Sequence, residues 1–342
     1  MPAPSKCLRH LLLGSCLLAA VAATSATGRT EPLHDPDNGA FSGTFYFPDS
    51  TEGASLIPRG RHAFSMFAIT SSHSTNDDTG EEMLTLDGET SRAEFRYRYG
   101  LGERFEIGLR LPYVWHESGS LDSFVENWHQ AFGLPFGSRV SREDDQLEFS
   151  YQDSSGTQFD YQRNSNGIGD LRLIAGWQLT DGPNHRSALR FGLKLPTGDS
   201  NDLHGSGGTD ASVGIAGDWK QLFGFSRLSG FYRAHVNFVG EPDLLPERYN
   251  DVIGQFSTGA GFRLTKSVEL RLQAAARSAT HDSTIEILGR DAAWLTFGGN
   301  IRLSENYQLS LAVTEDLNVR SAPDISFLIG LRYDPESAAI NK

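Results

Sequence analysis

The feature that most constrains the fold is an alternation of apolar and polar residues that recurs along most of the chain. From residue 105 onward, every second position is apolar, in the series Phe105, Ile107, Leu109, Leu111, Tyr113 and Trp115. The neighbouring positions are charged or small, in the series Arg104, Glu106, Gly108 and Arg110. Because successive side chains of a β-strand point to opposite faces, this period of two predicts a strand with one apolar and one polar face.

Twelve segments show this alternation, and each is predicted to be a strand. Their predicted bounds are 61–72, 82–99, 104–116, 168–180, 186–196, 209–222, 226–239, 252–264, 267–280, 291–303, 306–317 and 323–333. Short turns follow the even-numbered strands, whereas longer polar connections follow the odd-numbered ones. An even number of strands with short turns at one end and long loops at the other is typical of outer-membrane barrels.

A soluble β-sandwich is the alternative fold, because its strands also alternate. A sandwich would hide the apolar face in its core and place the charged face in water. The even strand count, the turn asymmetry and a predicted export signal favour the barrel. We therefore predict an all-β fold, a single transmembrane antiparallel β-barrel of about twelve strands. Its short turns are expected to be periplasmic and its long loops extracellular, with one short loop helix.

Residues 1–26 have the composition of a secretory signal peptide. A basic start with Lys6 and Arg9 precedes an apolar run that is too short to span a membrane. Lipidation at Cys16 is a rival interpretation, although this cysteine lies early in the apolar run. Since Cys7 and Cys16 are the two cysteines of the chain, cleavage would leave no disulfide. With the barrel pattern, the signal predicts the outer membrane of a Gram-negative cell.

Three further regions are predicted. Residues 27–58 form an N-terminal periplasmic segment, and aromatic residues such as Phe41 and Phe45 make it too apolar for a free tail. This segment is therefore a candidate to tuck into the barrel mouth. Residues 59–333 form the barrel, and residues 334–342 form a polar tail.

The charge balance limits the partners. The 342 residues include 30 Lys and Arg against 43 Asp and Glu, a formal net charge of −13. A surface that neutralises phosphates needs an excess of basic residues, so nucleic acid is not an expected partner. The expected partners are outer-membrane lipid and lipopolysaccharide, the barrel-assembly machinery and a small solute whose identity the sequence leaves open.

On the predicted inward face, basic residues outnumber acidic ones. The side chains predicted to line the lumen are Arg92, Glu94, Arg96, Arg98, Arg110, Arg172, Arg190, Lys194, Arg233, His235, Arg271, Arg277, Arg302 and Arg332. The alternation also places Arg104, Lys220 and Arg227 on this face. A basic tube attracts anions and repels small cations. The alternative is that paired Arg and Glu fill a narrow lumen as a structural network.

No constellation of an enzyme is evident. A hydrolytic barrel needs a nucleophile beside a base, and no serine–histidine motif flanks the inward-facing His235. Asp199, Asp202 and His204 lie in a glycine- and serine-rich stretch whose spacing matches no calcium loop. We therefore expect no enzymatic activity, no metal and no cofactor.

Three stretches carry a resemblance to a known family. They are Leu121 to Pro135, the Gly167, Gly169 and Asp170 group that opens a strand, and Leu195 to Asp199. With these stretches the chain resembles an uncharacterised outer-membrane β-barrel family, domain of unknown function 3187, over nearly all of its mature length. The resemblance implies the fold and the location, and it implies no particular activity.

These observations favour an outer-membrane channel for small solutes, porin-like, with a mild anion preference and an Arg-rich lumen. The alternatives are a non-transport barrel with a surface or envelope-integrity role and, far less favoured, a membrane-surface hydrolase.

The connection 117–167 is predicted to be a long extracellular loop that contains a helix. Ser123 and Glu126 have the spacing of a capping box. The predicted constriction residues are Phe124, Trp128 and Phe132. Their spacing aligns them along one side of a helix. Since such an apolar stripe is unfavourable in water, we predict that the helix folds over the extracellular mouth and narrows it.

Replacing Trp128 and Phe132 with serine is expected to raise single-channel conductance, because the smaller polar side chains would widen the narrowed mouth. Recordings in planar lipid bilayers check this prediction. Unchanged conductance, together with quenching of Trp128 fluorescence by lipid-borne quenchers, would show instead that the helix lies on the outer leaflet.

Overall fold

The computed structural model describes residues 32–34, 52–118, 146–317 and 325–333. These residues form strands β1 (His62–Asp78), β2 (Glu82–Gly100), β3 (Phe105–Glu117), β4 (Glu148–Asp153), β5 (Gly156–Tyr161), β6 (Ser165–Ile168), β7 (Leu171–Asp181), β8 (His185–Leu195), β9 (Asp210–Trp219), β10 (Leu228–Phe238), β11 (Val252–Arg263), β12 (Val268–Arg277), β13 (Ala292–Arg302), β14 (Tyr307–Asp316) and β15 (Ile325–Tyr333). The helix α1 comprises Glu286–Gly289. None of the described helical residues forms a helix long and apolar enough to cross a membrane.

Twelve strands close into an antiparallel barrel, which confirms the predicted fold class and strand number. They are β1, β2, β3 and β7 to β15, and each pairs with the next of these along the chain. The last strand, β15, pairs with β1 from Phe64 opposite Tyr333 to Ser72 opposite Ile325. Closure pairs the backbone groups that a free sheet edge would leave exposed, as a bilayer requires.

The alternation of burial along the strands excludes the sandwich. Large apolar side chains such as Met66, Trp177 and Phe297 are exposed, whereas Arg92 and Arg110 are buried. A soluble sandwich would bury the apolar face instead. The exposed apolar face is therefore the lipid-facing surface of a transmembrane barrel.

The two ends of the barrel differ. We call the end with connections such as 101–104 and 182–184 the short-turn end, and the other the long-loop end. In outer-membrane barrels these ends are periplasmic and extracellular, respectively. The first strand was predicted to end at residue 72, but β1 continues to Asp78 and pairs with β2 up to Met83. Past residue 72 the two faces no longer divide into lipid and interior, since both His73 and Ser74 are buried, so the backbone pairing continues after the alternation has ended.

The connection between β3 and β7 contains an additional hairpin. Strand β4 pairs with β5 and also with the extension of β2, and the short strand β6 pairs with β3. The predicted loop helix, with Phe124, Trp128 and Phe132, lies outside the described residues, as do the predicted signal segment 1–26 and the tail 334–342.

A hydrophobic cluster packs over the long-loop end, and we call it the loop cap. Its buried side chains come from β2, β4, β5, β11, α1 and four loops: Leu84, Leu86, Leu147, Phe149, Tyr151, Tyr161, Leu203, Leu245, Ile253, Ile285, Ile287 and Leu288. Loops that pack together in this way form a small core of their own above the membrane, stabilised by burial of apolar surface.

The buried carboxylate of Glu82 ties the loop cap together. It is paired with Arg248, and it accepts hydrogen bonds from Ser283 Oγ and from the backbone N–H of Thr284 at 3.0 Å. Arg248 also pairs with Asp153 of β4, at 3.3 Å. One carboxylate thus joins β2, the β4–β5 hairpin and two loops.

Replacing Glu82 with alanine is expected to loosen the loop cap and leave the barrel folded. The change removes charge-assisted hydrogen bonds and leaves backbone donors unpaired, a local loss on the order of 2 kcal/mol. Limited proteolysis of the loops should become faster, while heat-modifiable migration of the barrel in electrophoresis persists. Glu81→Ala is the matched control, since Glu81 is exposed. Equal protease resistance of both variants would contradict the proposed role of Glu82.

Candidate functional site

The structure buries most of the predicted lumen residues inside the barrel. The buried ones are Arg92, Glu94, Arg96, Arg98, Arg110, Arg172, Arg190, Lys194, Arg233, His235, Arg271 and Arg277. Arg302 and Arg332 are half-buried at the short-turn end. The sequence pattern placed Arg104, Lys220 and Arg227 in strands as well, but these three residues lie in turns.

Glu94 is the centre of an ion-pair network inside the barrel. Its two oxygens accept hydrogen bonds from Arg110 Nε and an Arg110 terminal nitrogen, both at 3.0 Å. Arg96 donates to the same carboxylate at 3.0 Å. This forked geometry is the strong form of an arginine–carboxylate pair. All three side chains are at least 95% buried, so each charge depends on the others for compensation.

A second carboxylate, that of Glu52, is paired with Arg96 and Arg110, and Glu52 does not belong to a strand. Glu52 Oε1 lies 3.0 Å from Arg96, and Glu52 Oε2 lies 3.8 Å from Arg110. Burial by itself raises the pKa of Glu52, but Arg96, Arg110 and Arg190 together lower that pKa well below its usual range. Glu52 is therefore ionised inside the barrel.

The backbone that follows Glu52 is held by further interior side chains. Arg190 Nε donates to the carbonyl of Gly53 at 2.9 Å, and Arg190 also donates to the carbonyl of Ser55 at 3.0 Å. Arg98 reaches the same Ser55 carbonyl at 3.3 Å, and Arg186 donates to Ser55 Oγ at 2.7 Å. Residues 52–57 are all buried, so this segment lies within the barrel.

Glu106 of β3 closes the network on the short-turn side. It pairs with Arg98 at 3.3 Å and with Arg190, and it accepts a hydrogen bond from the backbone N–H of Ile57 at 2.6 Å. The segment thus satisfies its backbone groups with barrel side chains, as a buried chain must.

Residues 32–34 contact another part of the interior. The His34 ring stacks on Phe67 with a centroid distance of 4.7 Å. Leu33 packs with Ile69, Ala312 and Leu328 of β1, β14 and β15. Burial lowers the pKa of His34 well below its usual value, so the imidazole is neutral.

Sequence reasoning missed Glu52, His34 and Arg186. The aromatic residues of the segment indicated that it could enter the barrel, but its charged residues were not assigned. The usable signal was the excess of predicted interior arginines over predicted interior carboxylates, which requires acids from elsewhere.

Two large interior side chains lie close above glycines of neighbouring strands. His235 lies over Gly214 of the adjacent strand, and Arg190 lies over Gly176 on its way to Glu106. A Cβ atom at either glycine would overlap these side chains. Glycine is thus required at both positions for close approach.

A second ion-pair group lies near the long-loop end. Lys194 Nζ is 2.7 Å from Asp210 and 3.4 Å from Asp170.

In the loop nearby, His204 Nε2 lies 3.1 Å from Ser165 Oγ, and Asp202 pairs with Arg163. Within the described ranges, no three His, Cys, Asp or Glu side chains are grouped so that they could hold a metal ion.

Replacing Glu94 with glutamine is expected to destabilise the folded barrel by about 3–5 kcal/mol, because it removes the charge that compensates buried guanidinium groups. Urea titration of refolding into detergent micelles or lipid vesicles measures this loss. The control is Glu103→Gln in a short turn, where the carboxylate side chain is 82% exposed. The control should stay within about 0.5 kcal/mol of the unsubstituted protein. Equal stability of both variants would show that Glu94 is not needed to compensate the arginines.

Comparison with solved structures finds several proteins that resemble this chain. The COG4313 outer membrane channel from Pseudomonas putida F1 superposes with a TM-score of 0.54 at 16% identity, over 82% of this chain and 96% of that one. The NanC porin gives a TM-score of 0.44 at 7% identity, over 80% of this chain and 100% of that one. The P. putida toluene transporter TodX gives a TM-score of 0.40 at 12% identity, over 91% of this chain and 96% of that one.

Among curated proteins, none matches the chain. The family model described as "Protein of unknown function (DUF3187)" matches residues 8–334, which confirms the resemblance found in the sequence. Because the match covers nearly the whole length, the chain belongs to this family of outer-membrane-type β-barrels.

Proposed function

We propose that this protein is an outer-membrane channel for small solutes with a mild anion preference. The observation that supports the proposal is the burial of arginines such as Arg92, Arg172 and Arg233 in a closed transmembrane barrel. Buried cations inside a low-dielectric wall attract anions and repel small cations. The cell compartment is the outer membrane of a Gram-negative cell, with lipid and lipopolysaccharide around the apolar face and assembly by the barrel machinery.

One observation supports transport over catalysis. The solved structure that shares this fold with a TM-score of 0.54 is described as an outer membrane channel. The proposal therefore includes no enzymatic step.

Two segments narrow the channel in this proposal. The N-terminal periplasmic segment 27–58 enters the barrel, supported by the contacts of residues 52–57 with Arg98 and Arg190. The loop helix with Phe124, Trp128 and Phe132 narrows the extracellular mouth, supported by the spacing of these residues in the sequence.

A second candidate function is a non-transport barrel with a surface or envelope-integrity role. The loop cap favours it, because a packed hydrophobic cluster over the long-loop end is also what a rigid surface structure needs. Conductance separates the two candidates. Reconstituted protein in a planar bilayer under a KCl gradient should conduct and give a reversal potential that favours chloride. Absence of conductance, or selectivity for potassium, would overturn the channel proposal.

Reversing the charge of Arg302 and Arg332 together is expected to lower the chloride-over-potassium permeability ratio by roughly twofold or more, because both line the periplasmic entrance. The variant is Arg302→Glu with Arg332→Glu, and the readout is the reversal potential. Arg227→Glu is the control, since Arg227 is exposed in a short turn. Equal shifts in both variants would mean that surface charge, and not the interior, sets the selectivity.

A further inference from the structure

One row of interior residues places basic side chains opposite one another across neighbouring strands. Lys194 is paired in register with Arg172, Arg172 with Arg110, and Arg110 with Arg96. The row then continues through Ser65, Arg332, Gln308 and Arg302. We call Lys194, Arg172, Arg110, Arg96, Arg332 and Arg302 the basic row.

The basic row runs along the axis of the barrel as well as around it. Barrel strands tilt by about 35–45°, so each step of about 4.8 Å to a neighbouring strand rises about 3 Å along the axis. The row begins with Lys194 near the long-loop end of β8 and ends with Arg302 at the short-turn end of β13. Seven such steps rise about 20 Å, which is most of the roughly 25 Å apolar band.

Four adjacent cations in one row cost stability, because like charges directly opposite across strands repel. The structure offsets this cost with four carboxylates. Asp170 and Asp210 lie at Lys194, whereas Glu94 and Glu52 lie at Arg96 and Arg110. Stability alone would not favour such a row of like charges. We therefore look for a functional reason for the basic row.

Glu52 differs from the other three carboxylates. Asp210 and Glu94 belong to barrel strands and Asp170 directly precedes one, but Glu52 belongs to the N-terminal segment. Its carboxylate contacts two guanidinium groups at once, Arg96 at 3.0 Å and Arg110 at 3.8 Å. Two converging guanidinium groups are the arrangement with which proteins bind free carboxylates and phosphates.

We propose that the basic row is the path of small organic carboxylates through this barrel, and that Glu52 occupies its central binding site as a carboxylate supplied by the protein itself. A solute carboxylate displaces Glu52 from Arg96 and Arg110 and then moves along the row. This inference rests on the proposed channel function and assigns the class of solute and its site.

The test compares the full-length protein with its Glu52→Ala variant, using succinate as the probe. Isothermal titration calorimetry in detergent should show succinate binding at least tenfold tighter to the variant, because Glu52 no longer competes for Arg96 and Arg110. Adding Arg96→Gln to the variant should abolish this gain. Glu103→Ala, in an exposed turn, should bind succinate like the unsubstituted protein. Heat-modifiable migration confirms folding, and Glu52→Gln replaces the alanine variant if the latter does not fold.

Inorganic phosphate distinguishes the chemistry of the ligand. Tighter binding of phosphate than of succinate to the Glu52→Ala variant would overturn the assignment to carboxylates, and no binding of either would overturn the site itself. In bilayers, succinate should block the chloride current of the variant at concentrations that leave the unsubstituted channel open. Silence of both proteins in bilayers refutes the channel function, whereas conduction without succinate binding or block refutes this inference alone.

Discussion

The pairing of β15 with β1 is the contact on which the rest of this structure depends. In a bilayer an unpaired backbone N–H or C=O costs several kcal/mol, so the sheet has to close. Once it closes, every strand has one face toward lipid and one toward the interior. The interior face is then shielded from lipid, and it can carry arginines such as Arg92 and Arg110 that the outer face could not tolerate.

Closure of the barrel buries positive charges that the carboxylates of the strands do not fully compensate. The interior holds more guanidinium groups than the carboxylates of the strands compensate, and a buried charge needs a partner. The N-terminal segment supplies one through Glu52, and its backbone carbonyls at Gly53 and Ser55 accept hydrogen bonds from Arg190. The segment and the barrel therefore stabilise each other, and the interior charge pattern includes residues that belong to no strand.

The same contacts bear on function in two opposite ways. Ion pairs around Glu94 and the loop cap stabilise a rigid barrel, which a surface role would need. The like-charge neighbours Lys194, Arg172 and Arg110 repel one another, and carboxylates such as Asp210 and Glu94 offset this repulsion. A row of cations is also what the proposed anion path needs.

The sequence by itself determined the fold class, the number of barrel strands and which face of each strand is polar, because lipid outside and polar groups inside impose a period of two on every strand. It located Glu94, Arg96 and Arg110 on one face and left open whether they line a basic lumen or form a network of paired Arg and Glu, without naming the pairs. Tertiary structure decided that they share one network with Glu52, since the approach of a segment more than forty residues away from Glu94 depends on barrel closure and leaves no local pattern. The tertiary structure also determined which basic residues lie opposite each other in the basic row. Strands β3 and β7 are joined by a long connection, and its length does not determine the register between them.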